Sequence, residues 1–117
     1  MRAEAALQEL VAEIDRCTDE LARTRARAEE LIGARRSGST WTEIVSQESR
    51  PLVVERISTV LASLAGAGHA WRREQALALR GEEVSINRIA AMFGVTRQRI
   101  SSLLKERDDA PAPRLEL

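Results

Sequence analysis

The first 36 residues constrain the fold of this chain most, because a helical composition coincides there with a heptad pattern. No Pro occurs in this stretch and no Gly precedes Gly33, while Ala, Glu, Arg and Leu dominate, which favours one long helix. At 1.5 Å per residue such a helix is about 50 Å long. The remainder of a 117-residue chain is expected to be too small to cover it. The pattern predicts an N-terminal coiled-coil helix over residues 1–36.

Apolar or small side chains recur along this helix at alternating spacings of three and four, as a coiled-coil seam requires. Two packings fit such a stripe: pairing with the same helix of a second chain, or folding back on the same chain as a hairpin arm. We expect the first, a homodimer, because Glu20 and Arg25 are spaced for an interhelical ion pair in a parallel coil. The dimerisation residues are then Leu7, Leu10, Ile14, Cys17, Leu21, Ala28 and Leu31, with Thr24 completing the stripe.

The rest of the chain also indicates helices, so the predicted fold class is all-α. With one Phe, two Trp and no Tyr, the core must consist mainly of aliphatic residues, which helices bury well. Thr40 is expected to cap a short helix at Trp41, and a further helix is expected to end at the "AGAG" of residues 65–68. Trp41 and Trp71 are expected in the core. The predicted segments are 37–68, 69–107 and a disordered tail over 108–117, which is acidic and holds two prolines.

The segment "INRIAAMFGVTRQRISSLLK" (residues 86–105) predicts two short helices joined by a tight turn. Ser85 and Thr96 are N-cap residue types placed directly before each helix. Ala90 is small where the two helices approach, and Gly94 tolerates the positive φ that such a turn needs. The apolar residues expected to face inward are Ile89, Ala90, Phe93, Ile100, Leu103 and Leu104, and Val95 is expected to anchor the turn.

Over about 20 residues this pattern resembles the bacterial helix-turn-helix family of DNA-binding proteins, and "GVTRQRIS" also looks like the last part of sigma-factor region 4 domains. The resemblance implies that the second helix enters the major groove with its first turns at the base edges. The residues expected at the bases are Arg97, Gln98 and Ser101; those expected at phosphates or neighbouring bases are Thr96, Arg99, Ser102 and Lys105. At the start of the preceding helix, Asn87 and Arg88 are expected at the DNA backbone.

The middle segment, residues 41–64, allows two interpretations. "SGSTWTEI" is similar to the opening of small helix-turn-helix units from GC-rich bacteria, but the later spacing departs from that pattern and no Gly marks a turn. We expect a degenerate unit that supplies scaffold or contacts a protein partner. The other interpretation is a second DNA-contacting motif, with Arg50 and Arg56 at phosphates. Arg72 and Arg73 either flank DNA or belong to a solvated helix face.

Charge is distributed unevenly although 18 basic and 18 acidic residues cancel. Residues 1–30 carry eight acids and five bases, whereas residues 66–107 carry four acids and eight bases, so a polyanion would meet the C-terminal part. The single His69 and single Cys17 lie in unrelated segments, so neither an enzyme nor a metal or cofactor site is expected. No leader or membrane-spanning segment is expected either.

Together these patterns predict a cytoplasmic, nucleoid-associated protein that binds double-stranded DNA in a sequence-specific manner. A dimeric transcriptional regulator would bind an inverted repeat, since two-fold symmetry in the protein is mirrored in its site. Two alternatives stay open. One is a protein-binding adaptor that uses the same helices as a partner surface, and the other is a nucleoid-associated architectural protein with little sequence preference.

Overall fold

A computed structural model of the chain describes residues 2–106, which form five α-helices and no strand. The helices are α1 (Arg2–Arg36), α2 (Trp41–Gln47), α3 (Val53–Gly81), α4 (Ile86–Phe93) and α5 (Arg97–Lys105). The predicted all-α class and the long N-terminal helix are confirmed. The tail predicted over residues 108–117 lies outside the described residues. None of the helices in residues 2–106 combines the length and apolarity that crossing a membrane requires.

Helix α3 is continuous where the sequence predicted a break. The "AGAG" of residues 65–68 lies in its middle, and the expected helix start near His69 is wrong. A glycine inside a helix costs only about 0.5 to 1 kcal/mol relative to alanine, and no Pro removes a backbone donor in this stretch. The packing of α3 against α1 outweighs that local cost.

Replacing Gly66 by Ala is expected to stabilise the protein by about 0.5 to 1 kcal/mol, because a helical glycine loses more backbone entropy on folding. A Cβ atom at Gly66 would meet no atom within 4 Å. The matched control is Gly94→Ala, where φ is +71° and the same substitution should lower stability by about 1 kcal/mol or more. Urea unfolding followed by circular dichroism measures both changes. Equal effects of the two substitutions would contradict this explanation.

The chain divides into two compact units. The hairpin unit comprises residues 7–69, and the C-terminal unit comprises residues 2–6 and 70–106 of the described chain. Helices α1 and α3 contribute residues to both units.

In the hairpin unit, α1 and α3 pack side by side and run in opposite directions. The Cys17 thiol lies 3.9 Å from the Val60 carbonyl oxygen, and the Glu20 carboxylate pairs with Arg56 at 3.1 Å. The partner number on α3 falls as the number on α1 rises, which defines an antiparallel pair. Thr24 is buried one turn further along α1. Burial and the neighbouring Glu13 carboxylate raise the pKa of the Cys17 thiol, so this thiol stays protonated at neutral pH.

The heptad stripe of α1 is therefore shared between an inner and an outer side. Cys17 is buried against α3 of its own chain, so its predicted place in a dimer seam is wrong. Leu10, Ala28 and Leu31 are partly buried, whereas Leu7, Ile14 and Leu21 are exposed. The physical reason is the continuity of α3. At 29 residues α3 is long enough to lie along α1 and cover part of its stripe. The sequence prediction had expected a second chain to cover that stripe.

Helix α2 is held by a capping box in which Thr40 and Glu43 each bond the other's backbone N–H. Ile44 is its buried contact. The expectation that Trp41 belongs to the core is wrong, because its side chain is 57% exposed. The Arg35 guanidinium lies over the Trp41 ring, 5.4 Å from its centroid, which is a cation–π contact at the surface.

Candidate nucleic-acid interface

The C-terminal unit is built around one small aliphatic core contributed by three helices. The last turns of α3 supply Ala76, and α4 and α5 supply the other buried residues. Ile89 and Ile100 are fully buried side chains, one from each of the two short helices. The complete buried set is Ala76, Ile89, Ala90, Ile100 and Leu103, with Leu79, Val84, Ile86, Phe93 and Leu104 packed around it. This core fixes α5 relative to α4.

The connection from α4 to α5 follows the predicted local signals. Ser85 and Thr96 are N-caps, and each side chain accepts a backbone hydrogen bond from the third residue after it. Gly94 ends α4 in the left-handed region at φ +71°, which glycine adopts without a Cβ clash. The Val95 N–H then donates to the Ala90 carbonyl at 3.0 Å, a bond typical of helix C-termini closed by glycine.

Most of the predicted DNA-contacting side chains are exposed on this unit. At 100° per residue, the exposed side chains of α5 fall mainly within one arc of the helix, and Ile100 and Leu103 occupy the opposite side. Ser101 is partly buried at the edge of that arc. The exposed residues are Thr96, Arg97, Gln98, Arg99, Ser102 and Lys105, together with Asn87 and Arg88 at the start of α4.

The charge on these two helices is uncompensated. Residues 86–105 contain four basic side chains, Arg88, Arg97, Arg99 and Lys105, and no acidic one. Within residues 2–106 none of these four forms an ion pair, whereas eight other arginines, all at or before Arg73, do. A local charge of +4 thus faces solvent over a short stretch of surface.

The first turn of α5 adds to this positive potential. Backbone N–H groups at a helix N-terminus carry partial positive charge and favour an acidic residue nearby. Neither α4 nor α5 has an acid in its first turn, and α5 instead places Arg97 and Arg99 there. Two cations at this position disfavour the isolated helix and favour an anionic partner.

Two arginines of α3 hold the short helices in place, a role that the sequence prediction missed. The Arg73 side chain is 11% exposed, donates to the Glu106 carbonyl at the end of α5 and pairs with Glu74 at 3.1 Å. The Arg72 guanidinium lies over the Phe93 ring of α4, 4.3 Å from its centroid. Arg73 therefore does not lie on a solvated helix face, and its guanidinium is engaged within the chain. No local signal announces this contact, because 33 residues separate the two partners.

The two arginines proposed as phosphate contacts of the middle segment are engaged elsewhere. Arg50 pairs with Glu55 at 2.9 Å, and Arg56 pairs with Glu20 of α1 at 3.1 Å. Breaking these pairs would be part of the cost of any phosphate contact. This arrangement supports the scaffold interpretation of residues 41–64.

Within residues 2–106 there is no group of three or more His, Cys, Asp or Glu side chains placed to hold a metal ion. Comparison of the chain with protein-family models, curated proteins and solved structures found no match.

Proposed function

We propose that this chain is a sequence-specific DNA-binding protein, a homodimeric transcriptional regulator that acts at the bacterial nucleoid and places α5 in the major groove. The observation that carries the proposal is the exposed, acid-free surface of α4 and α5 on a rigid three-helix core. A helix of this size fits the width of the major groove. The α4–turn–α5 unit then acts as a helix-turn-helix, with α4 crossing the DNA backbone.

The residue types on α5 match the two kinds of contact that such a helix makes. Arg97 can pair with guanine and Gln98 with adenine through two hydrogen bonds, each worth roughly 1 to 3 kcal/mol of discrimination. Ser101, one turn after Arg97, is assigned to the same groove. Thr96, Arg99, Ser102, Lys105, Asn87 and Arg88 are assigned to phosphates or neighbouring bases, and these contacts set position rather than sequence preference.

Dimerisation is part of the proposal because of the charge balance of the chain. Non-specific DNA affinity comes mainly from neutralising phosphates, and a chain with a formal net charge of zero supplies little of it. Two copies double the number of specific contacts. A two-fold pair of α5 helices would bind an inverted repeat.

The deciding experiment is capture of genomic DNA fragments by the full chain, beside an Arg97→Ala/Gln98→Ala variant. We expect the wild type to enrich fragments that share an inverted repeat and the variant to lose them. The matched control is Gln47→Ala/Arg50→Ala, which removes the same two residue types from the exposed surface of the middle segment and should leave capture unchanged. Absence of enrichment, or enrichment that survives in the first variant, would overturn the proposal.

A protein-binding adaptor is the second candidate, and one observation favours it. Trp41 and Val45 on α2 are 57% and 68% exposed. Large apolar side chains at a surface often mark sites where a partner protein binds. The adaptor would use residues 41–64 to hold another protein. It predicts that Trp41→Ala/Val45→Ser abolishes the cellular function while Arg97→Ala/Gln98→Ala leaves it intact.

A further inference from the structure

Large aliphatic side chains remain exposed along both long helices of the hairpin unit. Seven of them expose between 38% and 62% of their surface: Ile32 near the end of α1, and a set of six made of Leu7, Val11, Ile14 and Leu21 on α1 with Ile57 and Leu61 on α3. Single exposed aliphatic residues are ordinary, but a contiguous set marks an interaction surface. We name this set of six the apolar face.

The six side chains lie on one side of the hairpin. Glu20 of α1 pairs with Arg56 of α3, and the residues that follow them are Leu21 and Ile57. Each step along a helix turns by 100°. Because α1 and α3 run in opposite directions, one step forward in each helix turns toward the same side of the pair. Ile14 and Leu7 lie seven and fourteen residues before Leu21, and Leu61 lies four residues after Ile57. Val11 lies three residues before Ile14, and spacings of three, four and seven keep residues on one side of a helix.

The opposite side of the hairpin is polar. Arg16 and Thr59 are the residues that precede the buried contacts Cys17 and Val60, so they point to the side opposite the apolar face. Both line a cleft of about 450 Å³. Arg16 pairs there with Glu13. The hairpin therefore has one polar side and one apolar side.

The sequence of α3 shows the same asymmetry. Between Arg56 and Arg72 this helix contains no Asp, Glu, Lys or Arg, although within the hairpin unit only part of its circumference faces α1. An exposed helix normally carries charge on its outer side. Depletion of charge on an outer surface is instead characteristic of the centre of a protein–protein interface.

The size of the apolar face fits a second copy of the chain. A stable dimer buries about 800 Å² per partner, a polar rim included, and six large aliphatic side chains that each expose at least 38% of their surface can supply the apolar centre of such an area. The face is thus large enough to form the centre of a dimer interface.

The charge along α1 indicates how two copies would be oriented. Residues 2–20 carry six acids and two bases, whereas residues 21–36 carry five bases and two acids. When two α1 helices lie antiparallel, each acidic half meets a basic half. A parallel pair would place like charges together.

From these observations we infer that two chains pair through the apolar face about a two-fold axis, with α1 antiparallel to its copy, in a four-helix bundle of two hairpins. This differs from a parallel coiled coil of α1 alone, because α3 supplies two of the six side chains and Cys17 stays inside each hairpin. The inference concerns the hairpin unit and does not rest on DNA binding.

The first test is the mass of the full chain in solution, measured without DNA by sedimentation equilibrium. We expect twice the 13.0 kDa of one chain. Leu61→Glu should weaken association by at least roughly 30-fold, since central interface residues carry most of the affinity. Leu61 is 62% exposed, so the variant should keep its helical circular dichroism. The control Val45→Glu, at an equally exposed position of α2, should leave the dimer intact.

The orientation is tested by the salt dependence of dimerisation. An antiparallel pair of α1 helices should dissociate more readily as sodium chloride rises, because salt screens the attraction between acidic and basic halves. A dimer that tightens with salt would overturn the antiparallel arrangement. A monomeric wild type, or a dimer unaffected by Leu61→Glu, would overturn the pairing itself and leave another protein as the occupant of the face. Because no DNA is present, these results are separate from the test of DNA binding.

Discussion

Replacing Arg97 by Glu is expected to lower affinity for specific DNA by about 100-fold or more while leaving the fold at least as stable. The lost base contact accounts for roughly 1 to 3 kcal/mol, and the new carboxylate adds repulsion from the phosphates. Within residues 2–106 the Arg97 side chain forms no ion pair that the change would break. An acid in the first turn of α5 should instead stabilise the helix by about 0.3 to 1 kcal/mol.

Fluorescence anisotropy with the captured DNA sequence measures the affinity, and thermal unfolding measures the stability. The control is Arg36→Glu, which changes the net charge equally at an exposed position in the last turn of α1. It should alter specific affinity far less, because a charge outside the interface acts only through the screened field of the whole protein. Loss of stability in parallel with affinity would contradict the assignment of Arg97 to an external partner, as would unchanged DNA binding.

The α4–turn–α5 unit is the part of the fold that the sequence predicted best. Its signals are local. The Ser85 and Thr96 side chains accept hydrogen bonds from backbone N–H groups three residues away, and Gly94 adopts the positive φ that ends α4. The spacing of Ile89 and Ile100 then defines the inner side of each helix. Where every determinant lies within one or two turns, residue type and spacing suffice.

Long-range packing accounts for what the sequence did not predict. The pattern on α1 revealed an apolar stripe but could not tell whether another chain or α3 would cover it. The answer depended on whether α3 continued through Gly66 and Gly68, a difference of about 1 kcal/mol per residue in propensity that tertiary contacts easily reverse. The contact of Arg73 with the Glu106 carbonyl could not be predicted either, since the two residues are distant in sequence.

The residues of the candidate site could be predicted from the sequence. That their basic side chains lack ion pairs, while many other arginines have them, could not. Removing the apolar residues of α5 leaves its exposed polar side chains, and the structure places nearly all of them at the surface. The sequence alone could not show that other arginines are engaged with acids. The pairing of Arg56 with Glu20, 36 residues apart, is such a case. The unpaired state of Arg88, Arg97 and Arg99 becomes informative only beside those pairs.

Ile100→Ala is expected to destabilise the protein by about 2 to 5 kcal/mol, the largest loss of stability among the changes considered. Ile100 is fully buried where α5 packs on Ala76 and Ile89, and truncation there removes buried area and leaves a cavity. A small protein has roughly 5 to 15 kcal/mol of stability in total. The conservative Ile100→Val should lose only about 0.5 to 1.5 kcal/mol, and Val45→Ala, at an exposed position of α2, about 0.5 kcal/mol or less.

Urea unfolding followed by tryptophan fluorescence can assign this loss to one unit. Trp71 lies in the C-terminal unit and Trp41 in the hairpin unit, so a Trp41→Phe background leaves one tryptophan reporter, in the unit that contains the altered residue. Ile100→Ala should shift the Trp71 transition to lower urea and remove DNA binding together with stability, whereas Arg97→Glu removes binding alone. A cost below about 1 kcal/mol would mean that this position tolerates truncation as an exposed one does, and that Ile100 does not anchor α5. Because α5 is only nine residues long, it is too short to persist as a helix without tertiary packing, so its binding surface depends on the buried contacts on its other side.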